Sequence, residues 1–126
     1  MVTLIENDIK EIENWVLSGS ICSWGDPVLA KFTLAVFLQL PNALRMERIL
    51  NRERVRFGKR IAVGGDMHKA HMKFIDWASS YDHAVAPTRS LDLHEKWMKR
   101  LSCPILRLDS SVSVDELCDA VITSFE

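Results

Sequence analysis

The period of the apolar positions changes several times along the chain, and each change predicts an element. Leu4, Ile5, Ile9 and Ile12, with acids between them, predict a short amphipathic helix over 4–14. Trp15 to Cys22 reads as a strand ending in the small-residue turn Ser18-Gly19-Ser20. Phe32 to Leu40 (FTLAVFLQL) is almost continuously apolar, the pattern of a strand covered on both faces in a parallel sheet. Pro41 then suits the first position of a helix. Two more helices follow, over about 66–80 with Met67, Ala70, Phe74, Trp77 and Ala78 inward, and over about 90–101 with Leu93, Trp97, Met98 and Leu101 inward. Pro104 to Leu108 (PILRL) is a third strand, followed by the loop Asp109-Ser110-Ser111. Ser113, with Glu116 three residues on, forms a capping box for a last helix whose apolar stripe is Val114, Leu117, Val121 and Phe125. Strands separated by helices predict an α/β chain with a parallel sheet. Three strands are few for that architecture, so the sheet reads as incomplete.

Composition narrows the class. The chain has 126 residues, the size of one domain, and is 48% hydrophobic, too apolar for intrinsic disorder. Sixteen Lys+Arg against seventeen Asp+Glu leave a net charge of −1, which argues against a dedicated nucleic-acid or membrane-surface binder. No apolar run approaches the roughly 20 residues of a transmembrane helix, and the first residues lack the pattern of a signal peptide. Cys22, Cys103 and Cys118 are spaced like neither a zinc site nor a disulfide framework. Free thiols in a reducing cytoplasm are expected.

Charge patterning then singles out Pro41 to Arg60 (PNALRMERILNRERVRFGKR). On a helical wheel Arg45, Arg48, Arg52 and Arg56 fall within about 80° of one another. Ala43, Met46, Leu50 and Phe57 occupy a separate face, expected to pack on the sheet. Four guanidiniums on one stripe repel, and a bound polyanion would balance them through forked hydrogen bonds to phosphate. Lys59 and Arg60 add cations beyond the stripe, and Gly58, Gly64 and Gly65 give the following segment hinge-like freedom. The competing reading is a solvated face, with Glu47 and Glu53 pairing to the arginines.

Other constellations are weaker. Neither the P-loop pattern G-x-x-x-x-G-K-[ST] nor G-x-G-x-x-G is present. Asp66, His68 and His71 could approach one metal from a helix start, but no third histidine at open-site spacing follows. Ser18, Ser20, Asp26 and the four histidines contain the parts of a hydrolase triad, without a G-x-S-x-G elbow. Cys22 with a histidine is weaker still as a nucleophile. Trp15, Trp24, Trp77 and Trp97 are expected to anchor the core or an interface.

The order strand, WVLSGSICSWGD, buried strand, P-x-x-x-R-x-x-R-x-x-x-R helix, glycine-flanked segment, CPILRLD strand and capped helix resembles the C-terminal two-thirds of a small P-loop kinase of the adenylate-kinase-like or shikimate-kinase-like group. The resemblance implies a three-layer α/β/α fold with its N-terminal strand and P-loop missing, and a lid-like segment over about 53–66. It implies ATP with Mg2+ as cofactor and phosphoryl transfer that is lost or slow in a chain without the P-loop. Arg48 and Arg52 match the arginines near the adenine and its phosphates, and Asp109, Ser110 and Ser111 the loop at the adenine edge. Arg56 and Arg60 match lid arginines, and Arg89 the arginine that meets the transferred group. Asp26 or Asp66 would help hold magnesium. The expected partner is a nucleotide or another small phosphorylated molecule, and an uncovered sheet edge implies a homo-oligomer. The alternative is a non-enzymatic α/β module whose basic helix 45–60 meets an acidic or phosphorylated partner.

Overall fold

A computed structural model describes residues 2–22, 25–85 and 89–125. Among these residues five α-helices and two strands follow in order: α1 (Val2–Ile9), β1 (Ala35–Gln39), α2 (Asn42–Phe57), α3 (His68–Ser79), α4 (Leu91–Met98), β2 (Ile105–Asp109) and α5 (Val114–Ser124). Single 3₁₀ segments precede β1 (Asp26–Lys31) and follow α2 (Gly58–Ile61). β1 and β2 pair in parallel from Ala35↔Ile105 to Gln39↔Asp109, and the connection between them carries α2, α3 and α4. The chain is therefore α/β with a parallel sheet, as its apolar pattern predicts.

The sheet is smaller than expected. Residues 15–22 form no strand: Gly19 turns the chain at a φ of 117°, a left-handed conformation that suits glycine, and Val16 is 95% exposed. Among the described residues the sheet has two strands, and the expected three-layer arrangement is not shown. Narrowness of the sheet also explains two corrections to the helix faces. The α5 seat on β2 half-buries Leu117 and Val121 but leaves Val114 and Phe125 exposed. α2 packs chiefly against α3 and the 58–61 turn rather than on the sheet, and Ala43 is exposed. On α3, Ala70 and Trp77 are exposed rather than buried.

The buried apolar residues are Ile21, Val28, Ile61, Ala78 and Met98, and polar links complete the frame around them. Ser113 Oγ accepts from the Glu116 N–H and caps α5, and Ser90 Oγ does the same for α4 from the Leu93 N–H. Arg107 on β2 grips Glu95 on α4 with two bonds of 2.6 and 2.7 Å. Asp26 accepts from the Trp97 indole at 3.2 Å and from Arg100 at 2.8 Å, fastening the first 3₁₀ segment to α4. Trp15 packs edge-on to Phe32, whereas Trp24 lies outside the described residues.

The glycine-flanked segment is stitched to itself. The Met67 N–H donates to Arg60 O and the Gly65 N–H to Ala62 O, both at 2.8 Å, while Arg60 and Asp66 form a two-bond ion pair. A side chain at Gly65 would come within 2.2 Å of the Arg60 carbonyl oxygen, so this glycine serves close packing rather than a hinge.

Candidate functional site

A cavity of about 610 Å³ opens at the carboxyl end of the two strands. Open parallel sheets present ligand sites at that end, and the volume is that of a small-molecule pocket. Its floor is the exit of β1 (Leu38, Gln39, Leu40) with Ser110 beside it. The Ser110 N–H and Oγ both donate to Gln39 O, at 2.8 and 3.1 Å, which closes the sheet at this point. One wall is α2, with Arg45, Ile49 and Arg52; the opposite wall carries Phe74, Trp77, Tyr81, Asp82, Arg89 and His94.

Each arginine of the expected stripe has a different environment. Arg45 turns inward: it donates to Leu40 O and Asn42 Oδ1, lies 3.6 Å from Asp82, and its Cζ sits 4.9 Å from the Tyr81 ring centroid. Arg48 donates to Ser110 O at 3.1 Å, so this pair, expected together at a base edge, is adjacent. Arg52 lines the cavity, and no hydrogen bond or ion pair engages it among the described residues. Arg56 lies over the Phe57 ring, outside the cavity. Arg60 is matched by Asp66, whose carboxyl it holds below the ordinary range. Arg89 reaches the cavity from the segment before α4, with its Cζ 5.7 Å from the Trp77 ring centroid.

Neither glutamate pairs with these arginines among the described residues. Glu53 is instead buried beside His71, Oε1 to Nδ1 at 3.6 Å, where α2 meets α3. Asp66, His68 and His71 are likewise not gathered: Asp66 faces Arg60, His68 Nδ1 lies 2.9 Å from Ile61 O, and His71 faces Glu53. Among the described residues no three His, Cys, Asp or Glu side chains cluster as metal ligands would. Asp26, expected near magnesium, is held by Trp97 and Arg100, and the Arg100 hydrogen bond keeps its carboxyl below the usual range. Asp109 is held by Ser111, whose side chain and then its N–H, at 2.8 Å, lower the Asp109 pKa by hydrogen bonding.

The pattern along the chain does not disclose the most connected part of the wall. Tyr81 Oη and His94 Nδ1 are 2.5 Å apart, and His94 Nε2 lies 3.1 Å from Ser20 Oγ. Phe37 meets the imidazole edge-on. Burial, and after it the charge of Arg89, lowers the His94 pKa; burial raises those of Tyr81 and Cys22. Ser20 and His94 are 74 residues apart, so no local spacing marks them. Trp77 and Tyr81, four residues apart at the end of α3, were the available hint of an aromatic wall.

Among known proteins, the chain is 43% identical over 119 residues to the Uncharacterized protein YqaC of Bacillus subtilis (strain 168), a match covering 94% of this chain and 67% of that protein. No family model and no solved structure matches it. These findings overturn the resemblance to P-loop kinases. It rested on element order and arginine spacing, which any α/β chain with a basic crossover helix can share. Among the described residues, no helix is long and apolar enough to cross a membrane. At that identity and coverage, the chain belongs to the family of YqaC.

Proposed function

We propose that the cavity at the carboxyl end of β1 and β2 binds a small phosphorylated ligand that carries a planar ring, the nucleotide class among them. One observation carries the reading: three guanidiniums, Arg45, Arg52 and Arg89, line the cavity against a single carboxylate, Asp82. Arg45 partly satisfies Asp82, which leaves Arg52 and Arg89 as the groups to meet an anion. Arginine offers phosphate two parallel donors, and the cavity's partial exclusion of water strengthens that attraction. Trp77, with Phe74 beside it at 6.1 Å between centroids, supplies a face on which a planar ring can stack. Beside the floor, Ser110 is joined by Arg48, which donates to its carbonyl oxygen.

The acidic-partner alternative draws less support. It needs one continuous arginine face on helix 45–60, and there Arg45 turns inward, Arg48 is bonded to Ser110 O and Arg60 is paired with Asp66. The test is calorimetric titration of the full chain with ATP, inorganic triphosphate and adenosine. The reading expects ATP to bind more tightly than either part, because both the arginines and the aromatic wall contribute. Absence of binding by both ATP and triphosphate, in a sample shown to be folded, contradicts it.

A further inference from the structure

The cavity holds an ionisable group that anion binding alone does not require. His94 sits in its wall with both ring nitrogens against hydroxyls, Nδ1 to Tyr81 at 2.5 Å and Nε2 to Ser20 at 3.1 Å. A hydroxyl can donate to a ring nitrogen or accept from it. When a neutral imidazole gains a proton, the hydroxyl on that side rotates from donor to acceptor, and both N–H groups remain bonded without any ring movement. A carbonyl on one side would fix one tautomer, and a carboxylate would hold the ring charged. Two hydroxyls do neither.

The charges around the ring decide which state it takes. Arg89 faces it from the segment before α4, and Arg45 lies above the Tyr81 ring from α2. Asp82 follows Tyr81 and is drawn toward Arg45. From the segment before the first 3₁₀ turn come Ser20 and, beside it, the thiol of Cys22, which burial keeps protonated. β1 contributes Phe37, which carries no charge. On α4 itself the acids are taken: Asp92 by Lys96 and Glu95 by Arg107. In the ligand-free cavity the field at His94 is therefore positive, which favours the neutral ring. A dianion seated between Arg52 and Arg89 reverses that field.

We propose that the cavity takes up its anion together with one proton, and that His94, clamped between Tyr81 and Ser20, receives it. The proton comes from solvent and is returned when the anion leaves. This inference rests on the anion-binding reading above and specifies its regulation: affinity rises as pH falls through the bound-state pKa of His94 and levels off below the ligand-free one.

The test uses sulfate, a dianion that does not itself titrate near neutral pH. Ring signals of the histidines are followed by NMR against pH in the full chain, in sulfate and in chloride at matched ionic strength. His94→Gln identifies the His94 signal, and His68 and His71, which lie elsewhere on α3 beside Ile61 O and Glu53, serve as internal references. The expected result is sulfate-dependent amide shifts at the cavity, with a His94 pKa raised by about half a unit or more. Affinity should correspondingly increase about threefold or more on acidification. Tyr81→Phe, which removes one hydroxyl partner, should shrink the pKa rise while sulfate still binds. Saturating cavity shifts with an unmoved His94 pKa overturn the proton uptake and leave the anion reading standing. Cavity amides that ignore sulfate overturn the anion reading and this inference with it.

Discussion

The two ends of α2 carry the same side chain in opposite circumstances. At the end beside the sheet, Arg45 and Arg52 line a cavity with aromatic walls, and Arg48 reaches the backbone of Ser110. At the far end, Arg56 lies on its neighbour Phe57, and Arg60 is neutralised by Asp66. On a wheel all but Arg60 belong to one stripe. In the fold, distance from the carboxyl end of the strands divides them. The surrounding elements converge on the row only near the sheet, and there Arg52 is left without a carboxylate among the described residues.

The largest expected effect concerns the inward arginine. Arg45→Ala removes bonds to Leu40 O and Asn42 and leaves Asp82 without its cation in a half-buried wall. Charge-assisted bonds of this kind give a loss of about 2 kcal/mol, read by urea unfolding. An unchanged unfolding midpoint would mean Arg45 is as dispensable as the far arginines. Arg52→Ala should reverse the pattern, leaving the unfolding midpoint in place while ATP or triphosphate affinity falls about tenfold, or about 1.4 kcal/mol. Arg56→Ala and Arg60→Ala should each hold affinity within about twofold, since these side chains stand outside the cavity. An equal fall at Arg52 and Arg56 would restore the single stripe and break the comparison.

The smallest effect is one of pH. His94 binds its proton more weakly in the folded chain than in the unfolded one, because burial and Arg89 disfavour the cation. Its contribution to stability is therefore complete above the unfolded pKa of about 6.5 and declines as pH falls toward the lowered folded value. The urea midpoint should drop between neutral and mildly acidic pH, and the drop should be shallower in His94→Gln. A slope identical in the two proteins would remove His94 from the account.

Much of the fold was legible along the chain. The apolar run at 32–40 contains β1, PILRL predicts β2, and Ser113 with Glu116 marks the start of α5. These signals are local: periodicity, a cap, a strand-length run. Trp15 to Cys22 is equally strand-like in pattern, but a strand also needs a neighbour, and that dependence lies outside the segment. Glu53 misled for a related reason. Its wheel position is within about 20° of Met46, close enough to the apolar face to be carried under α3, yet its charge suggested solvent. Within the candidate site, the sequence singles out Arg52 and Ser110, and names Ser20 and the histidines as parts without showing which histidine meets it. The aromatic wall and the Tyr81 link to His94 were not legible, because they form only when segments far apart in sequence close on the sheet end.

The most direct measurement is amide-shift mapping of the isotopically labelled chain during titration with ATP. The account predicts saturable shifts at 38–40, 81–82, 89–94 and Ser110, the rim and walls of one cavity, with little change along 56–60. Shifts running along the outer face of α2 to Arg60, with the cavity residues still, would contradict it.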